Sequence, residues 1–227
     1  ITLDRLPTNV NPDSDNNVAN NRTCTSSFVL GASTPTNGTG TWTGPVGITF
    51  SNANSPTSTV NNLPLTGGLP TVTTLTWTVR SALNVCAPIV TTVDITRNPL
   101  PAVADPVPVL CDLGAGSVTG VNLTTFHDGI TGIVGSVDRS LQWFSNPGRT
   151  VAVADPTNVT VTNGLKFYNI VTTTSTTCAS NGEITFTVRP LPTRVNQTAQ
   201  ICEDSPPGSS IASGINLQNF ETAIAGG

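Results

Sequence analysis

Charge is scarce in this sequence. Only 10 % of the 227 residues are Asp, Glu, Lys or Arg, against roughly 25 % in an ordinary soluble domain. There is one lysine, Lys166, one histidine, His127, and no methionine. The formal net charge is −4 and the arginines are scattered, so the basic stripe that phosphate binding demands is missing and no nucleic-acid partner is expected. No apolar run approaches the roughly 18 residues of a spanning helix. No basic amphipathic segment suits a membrane surface either, so no membrane insertion is expected. The stretch Ile1-Thr2-Leu3-Asp4 lacks the basic and apolar regions of a secretory leader. Export signals are expected outside this chain.

Catalysis is short of material as well. His127 has no second histidine for metal spacing, and neither a G-x-S-x-G elbow nor a phosphate-binding glycine loop occurs. No catalytic residue is assigned, and the chain is read as not an enzyme.

Thr, Asn and Ser take over the wetting of the surface, in runs such as Thr71-Val72-Thr73-Thr74 and Val171-Thr172-Thr173-Thr174. Threonine is β-branched and half-polar, which suits the solvent side of a pleated sheet. Gly 20 and Pro 18 are spread as many turns between short strands require.

Three proline segments recur: Arg5-Leu6-Pro7-Thr8, Arg97-Asn98-Pro99-Leu100-Pro101 and Arg189-Pro190-Leu191-Pro192-Thr193. Their arginines are spaced 97 − 5 = 92 and 189 − 97 = 92, and Cys86 to Cys178 is again 92. Cys111 and Cys202 lie 91 apart, each opening the pattern Cys-acid followed by Gly-(Val/Ile)-Asn-Leu-x-x-Phe. A period of this length marks tandem modules. Residues 1–7 read as the end of a preceding module, 8–99 and 100–191 as whole modules, and 192–227 as the start of a further, incomplete one.

Within each module apolar residues alternate with period 2. Examples are Ile89, Thr91, Val93 and Ile95; Leu75, Trp77 and Val79; and Ile184, Phe186 and Val188. Each set predicts a strand with one buried face. Helical periodicity is confined to short turns over Leu123 to Ile130 and Leu217 to Ile224. The predicted fold is all-β, a tandem of immunoglobulin-like β-sandwich modules in an extended array. Trp42, Trp77, Trp143 and Tyr168 are read as core aromatics, with Trp77 and Tyr168, 91 apart, taken as one repeat position.

The cysteine spacing suggests one bridge per module, Cys24 to Cys86 and Cys111 to Cys178, with Cys202 pairing beyond the chain end. Such bridges persist in oxidising surroundings, so an extracellular location is expected. Calcium is the one cofactor considered. Asp13 and Asp15, in Asn11-Pro12-Asp13-Ser14-Asp15-Asn16-Asn17, offer oxygens on alternate residues, the chemistry hard cations prefer. The alternative is a solvated loop. Glu203-Asp204 forms a similar cluster.

Gly38-Thr39-Gly40-Thr41-Trp42-Thr43-Gly44-Pro45, Thr74-Leu75-Thr76-Trp77-Thr78-Val79 and Leu141-Gln142-Trp143-Phe144 resemble the PKD-like and Ig-like repeats of giant Bacteroidota surface proteins, the gliding-motility adhesins of the SprB type. The resemblance implies export by the type IX secretion system and display on the cell surface. It also implies contacts with an outer-membrane barrel and the secretion machinery through regions outside this chain. It leads to an expected role as a non-catalytic adhesive stalk segment, meeting an external surface or polysaccharide. The alternatives are a glycan-binding module, which needs an exposed aromatic platform, and an accessory region of a large secreted hydrolase.

Overall fold

The computed structural model describes residues 2–8, 10–15, 17, 19–112, 114–135, 138–191, 198, 200–202, 208 and 212–221. The first repeat supplies seven strands: β1 (Arg22–Thr23), β2 (Phe28–Val29), β3 (Thr39–Thr43), β4 (Thr49–Phe50), β5 (Thr59–Asn61), β6 (Thr71–Arg80) and β7 (Ile89–Arg97). They form one sheet of order β1-β7-β6-β3 and a second of order β2-β5-β4. The long β6–β7 hairpin is antiparallel from Thr71↔Arg97 to Val79↔Ile89. β1 joins its edge in parallel, setting Thr23 opposite Arg97.

The third, sixth and seventh strands in one sheet, and the second, fifth and fourth in the other, make the immunoglobulin arrangement. Period-2 alternation decides which side chains go inside. On β6, Thr73, Leu75, Trp77 and Val79 are buried. Leu75, Trp77 and Val79 meet Val93 and Ile95 of β7, Trp42 of β3 and Val60 of β5 in a single apolar cluster that takes side chains from both sheets. The outward threonines remain wet. Thr74 spends its hydroxyl on Asp94 of the neighbouring strand, 2.6 Å away, a cross-strand polar pair.

The second repeat supplies β8 (Val109–Asp112), β9 (Ser117–Val121), β10 (Arg139–Phe144), β11 (Val159–Thr162), β12 (Lys166–Thr173), β13 (Ala179–Thr185) and β14 (Thr187–Pro190). The topology returns: β10-β12-β13 in one sheet, β9 beside β11, and β8 parallel to the last strand, with Cys111 opposite Arg189. Arg97 and Arg189 are one repeat apart, so β1 and β8 do the same job. Ile184, Phe186 and Val188 are all buried, as the alternation predicts. Phe186 meets the rings of Phe126 and Phe167 edge-on at 5.8 and 6.3 Å.

The recurring Asn-Leu-x-x-Phe has a local explanation. Leu123–Phe126 and Leu217–Phe220 are 3-10 turns, and in each the preceding asparagine, Asn122 or Asn216, accepts the backbone N–H two residues on. That is the N-cap bond which makes asparagine favourable there. In the second repeat the turn runs into a short helix, α1 (His127–Thr131).

One expected equivalence is corrected. Tyr168 does not occupy the position of Trp77. Burial on β12 falls on Phe167, Asn169, Val171 and Thr173, and 77 + 92 = 169. The buried counterpart of Trp77 is therefore Asn169, while Tyr168 faces out and carries the guanidinium of Arg149 over its ring at 5.7 Å.

The chain divides into two compact units. One comprises Ile1–Ala104, Asp128–Gln142 and Asn169–Gly182; the other comprises Asp105–His127, Trp143–Tyr168 and Glu183–Gly227. Residues of the second repeat thus occur in both.

Candidate functional site

Two loops at repeat-equivalent positions carry the late cysteines. Residues 81–86 lead from β6 toward β7, and residues 173–178 lead from β12 to β13. Each loop turns through a residue in the left-handed region, Asn84 at φ 57° and Thr177 at φ 60°. Each is also rich in N–H and O–H donors that no strand satisfies, and each takes a carboxylate to meet them.

Asp4 serves the first loop. It accepts the Ser81 hydroxyl at 2.6 Å and the N–H groups of Leu83, Val85 and Cys86 at 3.2, 2.9 and 3.2 Å. The Ser81 hydroxyl, then the three N–H groups, holds this carboxyl well below the usual range despite some desolvation. Asp138 serves the second loop. Its side chain accepts the Ser175 N–H at 2.9 Å and the hydroxyls of Thr174 and Ser175 at 2.9 and 3.0 Å. Its acidity is likewise strengthened, first by the Ser175 N–H and then by the hydroxyls. Sequence reading singled out neither aspartate. The readable signal was confined to the second loop, whose Ser/Thr run before Cys178 needs an acceptor from elsewhere; the first holds one serine, Ser81.

Within the first compact unit Cys178 is fully buried and bonded to Cys24, 154 positions away, with Cα atoms 5.5 Å apart. The expected pairs Cys24–Cys86 and Cys111–Cys178 do not form, and Cys86, Cys111 and Cys202 carry thiols. The reason is positional. Cys24 follows directly on β1 and, with Arg22, Thr23 and Asn98, lines a cavity of about 460 Å³ whose other wall is residues 175–177. That arrangement brings the second late loop, not the first, to Cys24. The Cys86 Sγ instead donates to the Asp4 carbonyl at 3.7 Å. Cys111 is exposed on β8.

The acidic loop considered for calcium is laced by its own hydrogen bonds. Asp13 accepts from the Asn21 amide at 2.9 Å. Asp15 accepts from the Asn20 amide and the Asn17 N–H, both at 3.0 Å. Among the described residues no group of three or more His, Cys, Asp or Glu gathers where a metal could sit. Glu203 and Asp204 lie outside the described residues.

The tryptophans form no platform. Trp42, Trp77 and Trp143 are 1 %, 0 % and 6 % exposed. Trp42 and Trp77 pack together at 4.9 Å between centroids, and the Trp42 indole N–H donates to the Ser55 carbonyl at 3.2 Å.

No protein-family model matches the chain, and no curated protein matches it. Among solved structures it is similar to the PKD domain from KIAA 1837 protein, at 21 % identity over 34 % of this chain and 76 % of that one, TM-score 0.27. It is also similar to the titin I-band fragment I67–I69, at 10 % identity over 84 % of this chain and 67 % of that one, TM-score 0.31. A third is an endo-fucoidan hydrolase, MfFcnA4 of glycoside hydrolase family 107, at 15 % identity over 81 % of this chain and 29 % of that one, TM-score 0.28. The class rests on the strand order and register: this is an all-β chain of immunoglobulin-like build.

Proposed function

We propose that the chain is a non-catalytic stalk segment of a large cell-surface filamentous adhesin, exported by the type IX system and engaged in surface attachment or gliding. The observation that carries this reading is the Cys24–Cys178 bond, which closes 154 positions of two successive repeats into one covalent loop. A bond of this kind belongs to an oxidising compartment. Its effect is mechanical. Tension applied at the two ends passes through the sulfur pair and bypasses everything between. Outside that loop, the proline-bearing stretches around Pro7 and Pro190 favour extended backbone. Calcium at Asp13 and Asp15 plays no part in this reading.

Two experiments test it. In single-molecule stretching of the full chain held by its termini, reduction should add a contour length of about 500 Å, at roughly 3.4 Å per released residue. An unchanged length would refute the mechanical role. Cells carrying the parent gene with residues 8–191 deleted in frame should attach poorly to a polysaccharide-coated surface; full attachment would remove the adhesive part of the reading.

A further inference from the structure

The one disulfide obeys a rule that the other cysteines are placed to repeat. Its span of 154 is one period plus the spacing within a repeat, 92 + 62, because Cys24 to Cys86 is 62 and Cys86 to Cys178 is 92. We infer that the repeat's cysteines bond across repeats: the early cysteine of one bonds the late cysteine of the next. Wherever a further repeat follows, Cys111 takes the cysteine equivalent to Cys178 in that repeat. Wherever one precedes, Cys86 takes that repeat's early cysteine.

Three observations support the rule. The late cysteines are equivalent, one period apart, each at the end of a carboxylate-capped loop between the two longest strands of its repeat. In strand register, though not in sequence spacing, the early cysteines are equivalent to within one residue. β1 and β8 both run parallel to the last strand of their repeat, and the residues opposite the repeat arginines Arg97 and Arg189 are Thr23, next to Cys24, and Cys111. Finally, the thiols that the rule leaves without a partner in this chain, those of Cys86, Cys111 and Cys202, are the ones found free. Cys111 is exposed on its strand and within reach of an incoming chain.

Each bond is an oxidation by thiol–disulfide exchange. One cysteine thiolate attacks oxidised glutathione and releases one glutathione thiol. The second cysteine thiolate then attacks the protein sulfur of the mixed disulfide and releases the other. The protein loses two electrons and two protons, and two molecules of reduced glutathione carry them away.

The test uses the full chain with residues 100–191 repeated in tandem directly after Leu191, oxidised with glutathione disulfide and digested without reduction. Peptide mass spectrometry should find Cys24–Cys178 retained and a new bond from Cys111 to the Cys178 of the inserted copy, with the early cysteine of that copy free. A bond between Cys111 and Cys178 of the same copy, or a free late cysteine in the inserted copy, would overturn the rule. A second measurement does not depend on the inserted copy folding. In the unextended chain, native alkylation should label Cys86, Cys111 and Cys202 and spare Cys24 and Cys178. A bond between Cys86 and Cys111 there would also overturn it. The readout is bond identity, so its failure is distinct from a failure of the attachment experiment.

Discussion

Gly40 lies against the indole of Trp77, so closely that a Cβ built on it would stand 1.9 Å from the ring's Cζ2. The glycine is on β3, two residues from the Trp42↔Trp77 pair, and the ring behind it is fully buried. Gly40→Ala is therefore expected to force the indole aside and to cost about 1–3 kcal/mol, the range for overpacked cores. Urea unfolding followed by tryptophan fluorescence reads it. Full parental stability would mean that the ring has room to move.

The same core bears on the glycan alternative. Acrylamide should quench the fluorescence of Trp42, Trp77 and Trp143 poorly in the folded chain, and added polysaccharide should change neither quenching nor emission maximum. Strong quenching that polysaccharide relieves would show an exposed platform.

Breaking the Cys24–Cys178 bond with Cys24→Ser is expected to lower stability by about 5 kcal/mol, the loop-entropy figure for a closed loop of this length. Equilibrium unfolding of the variant against the oxidised parent checks this. Cys86→Ser and Cys111→Ser should leave the oxidised chain near parental stability, because neither thiol is bonded in it.

Asp4 and Asp138 give the molecule a predictable acid limb. Both have folded pKa values below their unfolded ones. Their stabilising effect is thus complete above the unfolded value, about 3.9, and is lost as pH falls toward the folded value. Asp4→Asn should lower the Tm at pH 7 and quicken alkylation of Cys86, and the Tm gap to the parent should close on acidification below about pH 4. A gap independent of pH would mean that charge plays no role in holding the loop.

The cap of the 3-10 turn in the second repeat should also register. Asn122→Ala removes the acceptor for the Thr124 N–H, 2.9 Å away, and is expected to cost about 1 kcal/mol. Thermal unfolding measures it, and Asn122→Asp should recover most of the loss.

What the sequence made readable was periodic. Alternation at Leu75, Trp77 and Val79, or at Ile184, Phe186 and Val188, reports directly which side of a pleat is dry, and those residues are buried. The repeat could be read because arginine, proline and cysteine keep their spacing through both copies. Cysteine connectivity was not readable, because the five cysteines allow several alternative bonds and spacing alone does not choose among them. The choice was made by where β1 sets Cys24 down. The place of Asn169 was hidden for a related reason. A buried amide at the position of a tryptophan breaks the chemical likeness between copies, so matching aromatic to aromatic slid the alignment by one. Asp4 lies 77 residues before the hydroxyl that it binds, a distance over which no local pattern carries information.

The sulfur bridge has one more outcome, which concerns damage. A protease that cuts once anywhere between residues 25 and 177 leaves both halves joined through Cys24 and Cys178. Severing the tether within that span takes a second injury of a different kind, the reduction of the bond itself, so a nicked strand would stay in service where an unbridged one would part.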